Sequence, residues 1–254
     1  MREDRTREYW DRTWTYDEKD RPEHVFLDGS DGEDEFDEEL LRKTVGKTVL
    51  DEGCGAGSFT RLIARKAKHV TGIDSSTVAL RQAQRRLARR KTRNVEFRFG
   101  DVNRLPFPAN SFDVVYSRRG PGSDSLRTLT EVFRVLKRNG VFMEITIGER
   151  DKQSIVRIFG RGQMLGARGQ VSDIKKRMME RVGFRKVVAR DYLGTEVFEG
   201  MRDLLVRLRS APIIPGFNLR RDRKYLRRVR EECVSDRGIE TQVHRVVLIG
   251  RKSR

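Results

Sequence analysis

Apolar and polar residues recur along the chain with two periods, and the switches between them mark out its elements. Val49-Leu50 is a short apolar run that ends in Asp51-Glu52 and meets Gly53-Cys54-Gly55-Ala56-Gly57, which predicts a strand over 47–50 and a glycine turn. Phe59, Leu62, Ile63 and Ala67 then share one face of a helix predicted from Ser58 to about Lys68. The same pattern predicts a strand over 69–74, a helix over 76–91 with Val78, Leu80, Ala83 and Leu87 inward, and a strand over 95–99. It continues with an apolar strand over 112–116, a helix over 126–136 stopped by Asn139-Gly140, and a strand over 141–147. Strands alternating with helices argue for an α/β fold, an open parallel sheet with helices on both faces, where ligands bind at the strands' carboxyl edge.

Beyond Gly148 the pattern loosens. Helices are predicted over 155–164 and 172–181, and strands over 186–189 and 241–249 that would pair as an antiparallel edge hairpin, bringing the sheet to seven strands. The stretch between them, 194–238, reads as a helical cap insertion with helices around 201–208 and over 220–230. Residues 1–39 are set apart as an N-terminal segment and 40–254 as the main domain. Tyr9, Trp10, Trp14 and Tyr16 give that segment an aromatic face that either packs on the domain or covers a ligand, while the acidic run 28–39 lacks apolar periodicity and reads as a linker or solvated loop.

Composition narrows the function classes. The 254 residues carry a net charge of +17, but residues 1–39 hold 16 acids against 6 bases, leaving 22 acids and 49 bases elsewhere. Such a body attracts anions, RNA among them, by counterion release. Of the 55 basic residues 42 are arginine, and Arg81, Arg85 and Arg89 fall on one helix face that solvation also explains. No apolar run reaches the length of a membrane span, the first residues lack the apolar core of a secretory signal, and a cytoplasmic location is the default expectation. Two cysteines, Cys54 and Cys233, and three scattered histidines, His24, His69 and His244, form neither a disulfide framework nor a metal-ligand motif.

The candidate chemistry lies at the glycine turn. Glycines there let a ligand lie against the backbone, and the helix after it points amides at that ligand. Asp51 at the strand's end disfavours phosphate and suits a cationic or hydroxyl-bearing ligand. Asp74, 23 residues on, stands where dinucleotide-type folds place an acid on ribose hydroxyls. A dehydrogenase fingerprint would need glycine at position 58, where Ser58 stands, and Gly46-Lys47-Thr48 precedes the strand and lacks the glycine that a phosphate-binding loop would carry at Leu41.

Over about residues 46–148 the succession of Val-Leu-Asp-x-Gly-Cys-Gly-x-Gly at 49–57, Gly72-Ile73-Asp74, Gly100-Asp101, Leu105-Pro106-Phe107-Pro108 and Phe112-Asp113-Val114-Val115-Tyr116 resembles the class I S-adenosylmethionine-dependent methyltransferases. The resemblance implies a Rossmann-like sheet and S-adenosylmethionine as methyl donor, with S-adenosylhomocysteine as product. It makes Gly53, Gly55 and Gly57 the turn beneath the methionine moiety and sets Asp51 near its ammonium. Asp74 holds the ribose hydroxyls, Asp101 and Val102 meet the adenine, and Ser117 stands near the sulfonium; Ser75 and Tyr16 are counted with them as expected cofactor-binding residues. Glu52, where the family commonly has an aliphatic residue, is a departure read as structural.

Methyl transfer needs alignment more than a dedicated base. Arg118 and Arg119 follow the fourth strand and either clamp an acceptor's anionic group or stand as surface arginines beside the Gly120-Pro121 turn; His244 and His24 are candidates for acceptor contact or proton removal. The expected reaction is transfer to an O or N nucleophile of a small-molecule acceptor. The alternatives are an RNA methyltransferase recruited by the basic surface and an inactive cofactor-binding scaffold.

Overall fold

The structure, a computed structural model, describes residue 11 and residues 25–89 and 92–253. Tyr9, Trp10, Trp14, Tyr16 and His24 lie outside the described residues. Strand β1 (Val25–Gly29) and helix α1 (Glu33–Lys43) precede β2 (Thr48–Glu52), α2 (Ser58–Ile63), β3 (His69–Asp74), α3 (Thr77–Ala88) and β4 (Val95–Phe99). There follow β5 (Phe112–Arg118), α4 (Leu126–Val135), β6 (Leu136–Ile147), α5 (Gln153–Phe159), α6 (Val171–Val182), β7 (Phe184–Phe198), α7 (Met201–Ser210), α8 (Arg223–Glu232), β8 (Val234–Ser235) and β9 (Gly238–Lys252).

The strands are hydrogen-bonded in the order β1-β7-β9-β6-β5-β2-β3-β4, with β8 on β9. The fold is the expected Rossmann-like α/β class, but the described sheet has nine strands where seven were expected. β1 pairs antiparallel with β7, Val25 opposite Phe198 and Gly29 opposite Gly194, so β1 holds the edge expected for the terminal hairpin. The acidic run expected as a linker is the end of β1 and most of α1. Two features make that helix: Glu33, Asp34 and Glu35 fall in its first turn, where the helix dipole favours negative charge, and Phe36 and Leu40, one turn apart, are buried.

The chain divides into two compact units. One contains residues 32–146, 171–190 and 246 onward. Its centre is the parallel set β6-β5-β2-β3-β4, whose register places Asp51 opposite both Gly72 and Tyr116 and Asp74 opposite Phe99. Val49, Leu50, Val70, Ile73, Val114 and Val115 are buried, as continuous apolar strands covered on both faces must be. Ser76 caps α3 by accepting from the Ala79 N–H at 3.1 Å, and Ser125 caps α4 in the same way from Thr128 at 3.0 Å.

The other unit holds the described residues up to 31, 147–170 and 191–245. It has its own core, in which Ile155, Val156 and Phe159 of α5 meet Leu204 and Leu208 of α7, Ile213, Ile214, and Leu226 and Val229 of α8. The helices expected in the 194–238 stretch are therefore present, each contributing an apolar stripe to that core.

Candidate active site

The glycine turn joins β2 to α2 at the carboxyl ends of the parallel strands. Gly53, Gly55 and Gly57 have φ of 75°, 52° and 71°, the left-handed region that a Cβ penalises. The Gly53 and Cys54 amides both donate to the Ile73 carbonyl, at 2.9 and 3.0 Å, which ties the turn to the end of β3. A Cβ on Gly53 would lie 2.8 Å from Pro121 Cδ and 3.2 Å from Gly120 Cα, so the loop after β5 rests directly on the turn.

Three acids expected at the cofactor lie at the ends of adjacent strands. Asp51 is 3% exposed and accepts from the Thr60 hydroxyl at 2.6 Å. Burial raises its pKa to about 6, against the lowering by that hydroxyl. Asp74 bridges two elements: its carboxylate accepts from the Gly55 N–H at 2.8 Å and from the Ser76 N–H at 2.8 Å. Asp101, just past β4, is exposed and accepts from the backbone and side-chain nitrogens of Asn103 at 2.8 and 3.0 Å. Ser75 and Val102 beside them are part-exposed. Cys54 is held as a thiol, because burial and the charges of Asp51 and Asp74 push its pKa well up.

The edge of β5 and β6 differs from expectation. Ser117 is fully buried and its hydroxyl donates to the Glu52 carbonyl at 3.2 Å, beneath Gly120, whose added Cβ would lie 2.7 Å from the Ser117 Oγ. Its side chain is thus engaged in holding the loop. Arg118 pairs with Glu33 at 2.7 Å and Asp37 at 2.9 Å and stacks over Phe59 at 5.0 Å, while Arg119 pairs with Glu33 at 3.2 Å. Both were candidates to clamp an acceptor; both instead fasten α1 to the sheet.

A buried acid row, unread beyond Glu52, lies on the same sheet face. Glu144 on β6, opposite Ser117, accepts from both the Ser123 amide and hydroxyl and from Lys175 of α6 at 3.1 Å. Glu52 is fully buried and neither carboxyl oxygen has a hydrogen-bond partner among the described residues. Burial first, then Glu144, Asp124 and Asp51, raise its pKa well above the usual carboxylate range. A charged residue inside the run Phe142-Met143-Glu144-Ile145 was the available signal for this row.

His244 belongs to the other unit. It is 2% exposed; its Nδ1 accepts from the Arg150 N–H at 3.1 Å, which leaves Nε2 to donate to Asp191 at 2.9 Å. Both ring nitrogens are occupied, so the residue expected to contact the acceptor is a brace between β9, β7 and the chain after β6.

The chemistry of this donor set fits S-adenosylmethionine. Acids on three neighbouring strands suit an ammonium, a diol and an amino group, and among the glycine-turn, Asp74 and Asp101 residues no lysine or arginine stands to receive a triphosphate. A family model described as a methyltransferase domain matches residues 43–180. Demethylmenaquinone methyltransferase of Thermotoga maritima is 42% identical over 106 residues, 40% of this chain and 44% of that protein. A sterol 24-C-methyltransferase of Gibberella zeae is 38% identical over 101 residues, 38% of this chain and 26% of that one. The chain thus spans less than half the length of these curated relatives. In fold it is similar to the YcgJ protein of Bacillus subtilis, with a TM-score of 0.66 at 17% identity over 87% of this chain and 99% of that one. It is also similar to phosphoethanolamine N-methyltransferase 2 of Haemonchus contortus, solved with phosphomonomethylethanolamine and S-adenosylhomocysteine, with a TM-score of 0.57 at 18% identity over 89% of this chain and 54% of that one. Since the family model takes in more than half of its residues, the chain belongs to the methyltransferase-domain family.

Proposed function

We propose that this enzyme methylates a small molecule, with the donor lying over the glycine turn of residues 53–57. The observation that carries the donor's placement is the Asp74 carboxylate, seated between the Gly55 and Ser76 amides at the end of β3. Two amide donors fix its orientation, and the ribose hydroxyls donate to it from the ligand side. Asp51 faces the ammonium through its place below the turn, and Asp101 with Val102 receives the adenine. When bound, S-adenosylmethionine supplies a methyl group on a sulfonium, which leaves as the neutral thioether of S-adenosylhomocysteine. The chain's part is to align the acceptor opposite that sulfur and to keep water out, which can contribute about 7–11 kcal/mol of the barrier.

A small acceptor is supported by the relatives that match 38–40% of the chain, whose names specify demethylmenaquinone and a sterol. The loop of residues 119–124 rests on Gly53 and forms the acceptor-side wall. The test is a labelled methyl-donor assay against lipid-soluble metabolites, water-soluble metabolites and RNA from the source cell. Label in a small-molecule fraction is expected; label in RNA alone would overturn the reading.

A further inference from the structure

A cavity of about 390 Å³ in the unit that carries α5, α7 and α8 is lined by Arg150, Gln153, Ser154, Arg157 and Gln242. It has no part in the reading above. The side chains that line it carry hydrogen-bond donors at the edges of a mostly apolar wall. Arg150 and Arg157 bring guanidinium groups on exposed side chains. The Gln242 amide oxygen accepts from the Ser154 N–H at 2.9 Å, and the amide nitrogen of Gln242 is a further donor among the lining groups. Gln153 Nε2 is buried without a hydrogen-bond partner among the described residues. A buried donor left unmade costs about 1–3 kcal/mol, and a turn of the Gln153 side chain toward an acceptor oxygen in the cavity would remove that cost.

The neighbouring acids do not fill this role. Asp151 is consumed by Arg245 and by Lys152, and Glu196 by Lys152 at 2.6 Å and Arg207 at 2.8 Å. Glu149 stands 4.0 Å from Arg150 Nε, and Arg157 forms no ion pair among the described residues. Two guanidinium groups and two amide nitrogens around one hollow match a group that only accepts, and the planar fork of arginine suits carboxylate and phosphate oxygens. The volume exceeds that of a single phosphate, and the methylene stems of the arginines and glutamines give it apolar walls for an organic body.

We propose that this cavity is a binding site for a small organic anion whose charged end is a phosphate monoester or a carboxylate. The test is titration calorimetry of the full chain at fixed ionic strength with inorganic phosphate, with glycerol phosphate and with citrate as probes. Saturable one-to-one binding of at least one probe is expected, and the preference between phosphate and carboxylate probes identifies the charged end. Gln153→Leu leaves the net charge unchanged and is expected to weaken binding by about tenfold; Arg157→Gln is expected to weaken it at least as much. Arg93→Gln, outside this cavity, is the charge control. Absence of saturable binding of every probe overturns the proposal, and so does a loss in Gln153→Leu and Arg157→Gln no larger than in the control, which would mean diffuse attraction to a basic surface. Methyl transfer by the enzyme is unaffected by either outcome.

Discussion

Asp51 and Asp74 are both acids at strand ends, yet they differ in what fixes their charge. Asp74 has two backbone amides aimed at it. Asp51 has one hydroxyl and complete burial, which together set its pKa near 6. The folded protein therefore holds a proton on Asp51 that the unfolded chain releases above its ordinary value of 3.8. Stability from this group is full below about pH 4 and is lost as pH rises to about 6, at up to about 1.4 kcal/mol per pH unit. Urea unfolding across that window should show the slope, and Asp51→Asn should remove its share. Donor binding should run the other way, because the ammonium selects the carboxylate: affinity for S-adenosylmethionine should fall by up to about tenfold per pH unit below 6. A pH-independent affinity, measured by calorimetry, would separate Asp51 from the ammonium. For Asp74, replacement by alanine also strands the Gly55 and Ser76 amides, so the sharper variant is Asp74→Asn. Its side-chain oxygen keeps one amide bond, and a loss of about tenfold to a hundredfold in donor affinity is expected from weakened charge-assisted bonds. Donor binding by Asp74→Asn as tight as by the parent would contradict the ribose assignment.

Among the elements, the glycine turn was the most legible, since glycines spaced two apart after an apolar strand have few other uses. Gly57 states the constraint most directly: its φ is 71° and an added Cβ would run into the Phe97 ring. Gly57→Ala should destabilise the protein by about 2 kcal/mol or more, from the left-handed backbone and the clash together, as a lowered urea midpoint with unchanged slope. Helix α1 was illegible for a definite reason. Its two buried residues, Phe36 and Leu40, are too few to make a period, and its acids look like those of a solvated loop until their partners are known. Those partners, Arg118 and Arg119, are more than 80 positions away in the chain. Sequence spacing predicted the arginines' place at the strand ends and missed their use. Arg118→Ala should raise hydrogen exchange in α1 while β2 stays protected, and equal exchange in both proteins would mean that α1 is held by Phe36 and Leu40 alone. The row of Glu52, Glu144 and Lys175 was hidden in the same way, each residue acquiring meaning only from the strand or helix beside it. Lys175→Met should cost about 3–5 kcal/mol by leaving Glu144 buried without its cation, and adding Glu144→Gln should recover much of that loss in the same unfolding assay.

At the scale of the whole molecule the charge remains to be accounted for. A net of +17 invites RNA, but several arginines in the body are already engaged: Arg134 with Glu131 and two carbonyls, Arg161 with Asp222, and Arg207 with Glu196. The exposed remainder includes Arg220, Arg223, Lys224, Arg227 and Arg230 around α8, a surface that attracts polyanions without selecting a nucleotide. Attraction of this kind has its own signature. A contact made with about five phosphates loses roughly five-hundredfold in affinity between about 50 and 200 mM salt, because the gain lies in released counterions. Methylation of a small acceptor draws on alignment inside the fold and should hold its kcat/KM within about twofold over the same range if the acceptor is uncharged. Measuring RNA retention and methyl transfer side by side across that salt series tests the assignment at this scale. Parallel collapse of both would tie catalysis to the polyanion and argue for RNA as the acceptor, whereas loss of RNA binding with activity preserved would leave the basic surface outside the reaction.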